Sequence, residues 1–282
     1  MKCFFENCSD AVKVAVETES FGVFHSNMKN QSRQVHIHEC CELFLCVKGG
    51  SSFLIGDKVY AISDGDLFFI NHFEAHKVVP DKDSEFERYV FQVHPSFIHA
   101  CSSDGVNLAD CFYADGKATR ISLSKSSMAR LVELFEALRC DYPYGDAMYK
   151  RLRAAEILLD AAKLLSTRHA SLTDKFVHKT VQLAIDYINE NYSQPISTED
   201  VARSVFASPS QLSRLFVRCC GISISKYILS KRITVAKKML AEGASVTATA
   251  FSCGFNDYAS FIRAFKGAVG VPPGKYKSSL HS

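Results

Sequence analysis

Four side chains in the first third of the chain have the types that hold small ions and molecules: His36, His38, Glu42 and His76. Three imidazoles and a carboxylate make a complete inner ligand set for iron, manganese, nickel or zinc. The same groups hydrogen-bond hydroxyls, and His–Glu pairs also occur as satisfied interior groups. Cys40, Cys41 and Cys46 stand close by and raise a redox alternative. In a strand, however, neighbours 40 and 41 point to opposite faces, so they form no cluster by themselves. A second chemistry-bearing set lies in the last hundred residues, where one helical pattern occurs twice. The first copy runs over 197–216 and closes at Gly221; the second runs over 245–265 and closes at Gly270. Arg214 and Arg263, Phe216 and Phe265, and Gly221 and Gly270 each stand 49 residues apart. An arginine on the outward face of a helix makes a bidentate contact to guanine when that helix enters a major groove.

The elements that must position these residues fall into three regions. Over 1–115 the apolar runs are short: 35–47, 53–55, 59–62, 67–70 and 89–93. Gly, Asp and Ser punctuate them at 48–52, 56–57 and 63–66, which predicts an antiparallel barrel or jelly roll. Over 124–167 the period changes to helical. Met128, Leu131, Val132, Phe135 and Leu138 form one stripe, and Leu152, Ala155, Ile157, Leu158, Ala162 and Leu165 a broader one. These helices are expected to pack on the barrel, on a second subunit, or on both. A polar stretch at 166–175 marks the boundary before an all-helical region. There, Ser197 with Asp200 is a capping-box spacing, and Ser208-Pro209 is a strong helix start. One long helix over 223–241 joins the two repeats, and Pro272-Pro273-Gly274 is expected to end the last helix. The expected organisation is a β sensor over 1–115, a helical connector and dimer element over 116–175, and a double helix-turn-helix over 176–282.

Charge separates the two halves. The net value of +3 hides a segment from 176 onward with 13 basic against 6 acidic residues, and a preceding segment with 20 against 24. That asymmetry fits a basic nucleic-acid module joined to a near-neutral one. The N-terminus lacks the apolar core and cleavage site of a signal peptide. No apolar run approaches the roughly 20 residues needed to span a bilayer. Eleven scattered cysteines without a CxxC spacing are expected to be reduced, mostly buried thiols in a cytoplasm.

Region 178–277 resembles the DNA-binding domain of the AraC family of bacterial transcription regulators. Ala202, Ser208, Leu212, Arg214, Phe216 and Gly221 carry the resemblance in the first unit. In the second unit it rests on Ala250, Gly254, Phe255, Phe261, Arg263, Phe265, Lys266, Gly270 and the tail 271–276. The resemblance implies two recognition helices set into successive major-groove segments. Family base contacts fall on Ser210, Ser213 and Arg214, then on Tyr258, Ala259, Ser260 and Arg263. Gln211, Ile262 and Lys266 are expected on the same outward faces, with Ile262 suited to a thymine methyl. Arg218, Lys226, Lys231, Arg232, Lys237, Lys238, Lys266, Lys275 and Lys277 are the phosphate candidates.

His36-x-His38-x3-Glu42-x6-Gly49 also resembles the first motif of cupin barrels. The second motif is partial: Gly65 and His76 are correctly spaced, while Asn71 and Phe73 replace the usual Pro and Gly. In such a barrel His36, His38, Glu42 and His76 point inward together. The resemblance to AraC-family regulators implies a small effector there, often a sugar and usually without metal, so the expectation is an effector pocket with no cofactor. Were a metal present, the same four residues would hold it. Phe44, Phe53, Phe69, Tyr89 and Phe91 are expected as core or as pocket walls. The function expected is that of a DNA-binding transcription regulator, more often an activator, acting as a homodimer with RNA polymerase as a further partner. The main rival is a cupin metalloenzyme with a helical appendage, and a weaker one is a thiol redox sensor.

Overall fold

A computed structural model describes residues 2–27, 35–80, 85–103, 105–113, 120–167 and 178–279. In chain order the N-terminal half holds β1 (Phe4–Phe5), α1 (Cys8–Glu17), β2 (Phe21–Ser26), β3 (Cys41–Lys48), β4 (Ser51–Ile55), β5 (Lys58–Ile62) and β6 (Asp66–Ile70). It continues with β7 (His76–Pro80), β8 (Glu87–Val93), α2 (Pro95–Ala100), α3 (Asp110–Tyr113), β9 (Arg120–Ser122), α4 (Lys125–Ala137) and α5 (Asp146–Ser166). One sheet has the order β1-β2-β8-β3-β6-β9 and the other β5-β4-β7. The β1–β2 pair is parallel and the remaining neighbours are antiparallel.

Strand alternation divides the core in two. Phe44 and Cys46 of β3, Phe68 and Ile70 of β6 and Val90 of β8 join Phe53, Ile55 and Tyr60 between the sheets. The intervening residues Leu43, Leu45, Leu67, Phe69, Tyr89 and Phe91 face away, onto Leu131, Leu134 and Phe135 of α4 and Ile157, Leu158 and Ala161 of α5. Because both faces of β3 are covered, Cys41 through Cys46 are all buried. The five aromatic residues expected as core or walls therefore belong to two different layers. β9 lies in the large sheet although it falls inside the stretch assigned to the connector, so the barrel continues past residue 115.

Three further departures from the sequence reading have local causes. The expected strand over 35–47 is broken: residues 39–40 bend, β3 begins at Cys41, and His36 makes a separate antiparallel bridge to His76. The N-terminal helix α1 was hidden in a region read as β. Asn7 caps it by accepting from Asp10 N, and Ala11 and Ala15 are its buried face. Gly22 permits that packing, since a β-carbon there would lie 2.4 Å from Ala11 O. Finally, Pro272-Pro273-Gly274 opens a helix and does not end one, because Pro273 occupies the first turn, where a missing N–H costs nothing.

The C-terminal half is helical: α6 (Lys179–Asn191), α7 (Thr198–Ser204), α8 (Pro209–Cys220), α9 (Ile224–Ala241), α10 (Val246–Ser252), α11 (Tyr258–Val269) and α12 (Pro273–Ser279). The capping box at Ser197 and Asp200 and the Ser208 cap are present as the spacing predicts. Both α8 and α11 stop at a left-handed glycine, Gly221 (φ 69°) and Gly270 (φ 87°). The linking helix α9 serves both units. Ile224, Tyr227 and Ile228 join Val181, Ile185, Leu212 and Phe216 in one core. Ile233, Ala236 and Leu240 join Ala250, Phe261, Phe265 and Tyr276 in the other.

The small sheet docks on the first of these units. Leu54 and Val59 enter its core. Ser52 Oγ donates to Cys219 O (2.7 Å), Lys77 Nζ to Gly221 O (2.7 Å) and Tyr227 OH to Gly56 O (3.1 Å). Within the barrel, Asp66 is fully buried and accepts from Arg120 Nη2 (2.7 Å), Ser122 Oγ (2.6 Å) and Ser63 N (2.7 Å). Removing one partner of such a pair leaves an uncompensated buried charge. Asp66→Ala is therefore expected to destabilise the N-terminal half by about 3–5 kcal/mol, measured by urea unfolding.

Candidate effector site and nucleic-acid interface

The bridge between His36 and His76 brings the ends of two chain segments together. Their backbones exchange hydrogen bonds of 3.2 and 3.1 Å. The ring centroids of His36 and His38 lie 4.3 and 4.9 Å from that of His76. One ring nitrogen from each of the three histidines falls within 4.8 Å of the others. Glu42, at the start of β3, reaches the same point: its Oε2 is 3.2 Å from His38 Nε2 and 3.4 Å from His76 Nε2. All four residues expected at the effector site are thus assembled. Sequence reasoning missed Gln92, which donates to Glu42 Oε2 at 2.5 Å. Its signal was a lone amide within the apolar run of β8.

The hydrogen bonds around the cluster decide what it can hold. His38 Nδ1–H donates to Cys40 O and His76 Nδ1–H to Glu74 O, both at 2.9 Å. A carbonyl only accepts, so each ring commits its Nδ1 proton outward and turns Nε2 toward the carboxylate. A neutral Nε2 and a carboxylate are both acceptors and repel unless a proton or a cation lies between them. His76 Nε2 is buried without an aligned hydrogen bond. Burial opposes charge on His76, but the Glu42 carboxylate outweighs it and raises its pKa above the ordinary value. For His38 burial dominates and the pKa falls, against the opposing pull of Glu42. Burial also works against charge on Glu42, yet the two imidazoles hold it well below the usual carboxylate range. Outward-fixed Nδ1, converging Nε2 atoms and an anionic oxygen fit a divalent transition metal as well as they fit a polar effector.

The motif's flanking positions are explained locally. A β-carbon at Gly49 (φ +122°) would lie 2.4 Å from Glu85 O, so the close approach needs glycine. Where the family pattern has Pro and Gly, Asn71 Oδ1 accepts from Phe73 N at 2.9 Å and makes an Asx turn instead. The redox candidates are poorly placed for thiolate chemistry. Cys40, Cys41 and Cys46 are buried, and burial pushes the thiols of Cys41 and Cys46 up to about 12 and that of Cys40 higher still. A thiol held protonated is a weak nucleophile.

On the DNA-binding half, Ser210, Gln211 and Arg214 are exposed on α8 and Ser213 is half-buried. Tyr258, Ala259, Arg263 and Lys266 are exposed on α11, with Ser260 half-buried beside them. Ile262 is not outward as expected: it is half-buried against the core around Ile233 and Phe261. Gln211 Oε1 accepts from the capping hydroxyl of Ser208 (2.9 Å), and Arg263 Nη2 donates to Ser260 Oγ (3.0 Å). Asp257, unremarked in the sequence, caps α11 by accepting from Ser260 N.

Of the phosphate candidates, Arg218, Lys226, Lys238, Lys266 and Lys275 are exposed. Others have internal work. Arg232 donates to Tyr192 O (2.8 Å) and Gln194 O (2.9 Å), and Lys277 to Gly243 O (2.8 Å) and Ala244 O (3.0 Å), while Lys231 is half-buried over the Tyr192 ring. Lys237 cannot reach a phosphate. It lies on the core side of α9, 1% exposed, with Nζ 5.5 Å from the Tyr276 ring.

Comparison with known proteins agrees with this layout. The family described as "AraC-like ligand binding domain" matches residues 22–162, half of the chain, and "Helix-turn-helix domain" matches residues 201–279. The transcriptional activator RhaR of Cronobacter sakazakii is 24% identical over 241 residues, covering 84% of both chains. The probable transcriptional regulator LumQ of Photobacterium leiognathi is 24% identical over 264 residues, covering 93% of this chain and 98% of LumQ. The solved structure of ToxT from Vibrio cholerae covers 93% of this chain and 100% of that one at 15% identity, with a TM-score of 0.38. A β-rich effector-binding domain followed by a helix-turn-helix region, matched in that order along one chain, makes this protein a member of the AraC family of transcription regulators, a family of DNA-binding proteins and not of enzymes.

Proposed function

We propose that this chain is an effector-controlled transcriptional activator that reads two major-groove segments with α8 and α11. The observation that carries the reading is the construction of α9, whose two halves are built into the two units' separate cores. A single helix holding both recognition helices fixes their spacing, as reading one face of a duplex requires. Arg214 and Arg263 stand exposed on those helices as base readers, with Ser210, Gln211, Ser213, Tyr258, Ala259, Ser260 and Lys266 around them. The word "activator" in the name of RhaR supports the sign of regulation, and RNA polymerase is the partner an activator needs.

The effector is proposed to bind at His36, His38, Glu42 and His76. A sugar is the weaker candidate. The interior beside His76 is filled by Phe44, Phe53 and Phe68, all 1% exposed or less, so a molecule of that size enters only by displacing rings. Homodimerisation is proposed through α5, where Met148 (65% exposed), Leu152 (59%) and Leu159 (50%) form an apolar stripe beside Tyr149. Eleven free cysteines suit a reducing cytoplasm, and among the described residues no helix is long and apolar enough to cross a membrane.

The test is binding of the purified protein to fluorescent DNA from upstream of its own and neighbouring genes, across salt and against random competitor. Specific binding with a steep salt slope is expected. Arg214→Ala and Arg263→Ala are each expected to cost about 1–3 kcal/mol and to relax specificity at one position. A double variant that keeps its full sequence preference would sink the readout. On the sensor side, Leu152→Glu with Leu159→Glu is expected to convert a dimer to a monomer in sedimentation while leaving the fold intact. An unchanged sedimentation coefficient would move the interface elsewhere.

A further inference from the structure

The extended segment 35–39 has two faces, and each is attached to a different half of the protein. Its even residues, His36 and His38, meet His76 and Glu42 in the barrel. Its odd residues point the other way. Val35 packs against the core of the first helix-turn-helix unit, and Ile37 against the core of the second. Glu39 lies near Lys237 on α9; burial lowers the lysine's pKa to about 8, and this carboxylate acts against that fall. Period-two alternation enforces the division, so a shift of one residue would exchange the two sets. No other described residues combine donors to the cluster with side chains in both helix-turn-helix cores.

We propose that segment 35–39 is the transmission element of this regulator. A divalent transition-metal ion taken up by His36, His38, Glu42 and His76 seats the segment on the barrel and so fixes the docking of both DNA-binding units. The proposal rests on the effector assignment above and names the effector's chemistry and route of action. Two observations favour an ion over an organic molecule. The ring nitrogens already lie within 4.8 Å of one another, the span of a single ion's ligands and too tight for a hydroxylated ring. In addition, His76 Nε2 is buried without an aligned partner, beside a carboxylate that it can approach only through a positive charge. Differential affinity follows from the same geometry. His76 and Glu42 belong to the barrel strands, whereas His36 and His38 precede the bend, so the four donors converge only when the segment is seated.

The experiment uses the full-length protein, stripped with a chelator and dialysed. Cobalt(II) is titrated in while visible d–d absorption is followed, and bound metal is counted by elemental analysis. Hydrogen exchange of peptides covering 35–39 and α9, and affinity for the fluorescent upstream DNA, are then compared with and without zinc(II). One ion per chain, slowed exchange in both peptides and a change in DNA affinity of about 5- to 150-fold are expected. His76→Ala should lose the ion, with Glu42→Gln as the gentler second variant. Ile37→Ala should keep the ion but lose most of the effect on α9 exchange and DNA affinity. Absence of a stoichiometric ion in the wild type, or an ion retained by both His76→Ala and Glu42→Gln, overturns the metal assignment. An ion that binds without altering α9 exchange, or an Ile37→Ala protein with the full response, overturns the transmission route. Metal uptake and α9 protection without any DNA preference would support the metal site and its route to α9 and overturn the DNA readout proposed above.

Discussion

A carboxylate buried at the end of a barrel strand has to be compensated, and Glu42 is the constraint around which the sensor is arranged. Its side chain is 4% exposed, and Gln92, His38 and His76 supply its polar surroundings. Satisfying it requires residues from β3, β7, β8 and the segment before β3, which come together only when both sheets and the His36–His76 bridge have formed. A buried charge without those neighbours would cost several kcal/mol, so the cluster helps specify the barrel as well as preparing it for a ligand. A cation taken up at the site would replace the proton between Glu42 and His76, so stability and ligand uptake are linked through one oxygen atom.

The DNA-binding half solves a different problem. Each three-helix unit is too small to bury a large core, and α9 supplies both units with apolar residues from opposite ends of one rigid rod. Cohesion within each unit is thereby converted into fixed spacing between them. The barrel adds Leu54 and Val59 to the first unit, and segment 35–39 touches both. Docking consequently bears on the pair as a body: whatever alters the seat of the segment alters the presentation of α8 and α11 together.

The helical half was almost fully legible because its signals are local. Ser197, Ser208 and Ser223 cap helices, and Gly221 and Gly270 end them, in the positions the spacing dictates. The barrel was legible as a class but not in outline. β9 is three residues long and β2 is a mixed run; both are strands because β6 and β8 offer them edges, which is a non-local fact. The four candidate effector residues came from the resemblance to the cupin motifs, and the structure brings them together. Gln92 was missed because its partner is 50 residues away. Lys237 and Ile262 were misplaced for a common reason. Outward faces read from one helix ignore what packs over it, and α12 with Tyr276 covers one flank of α9 while α11 itself leans on that core.

The two recognition helices are unequal in what they offer a duplex. On α8 the proposed reading face is Ser210, Gln211, Ser213 and Arg214, and Gln211 Oε1 already accepts from the Ser208 hydroxyl that caps the helix. Small side chains let the backbone approach closely but carry little base information, so in the proposed readout Arg214 supplies most of this helix's discrimination. On α11, Tyr258 is exposed at the first turn and Arg263 is oriented by Ser260, which lowers the entropy lost when the guanidinium engages a base. The neighbouring Ile262 is held half-buried by the core and cannot swing to a thymine methyl without giving up that contact. In the proposed readout, specificity therefore concentrates in the half-site under α11, with α8 contributing position and a phosphate contact through Arg218.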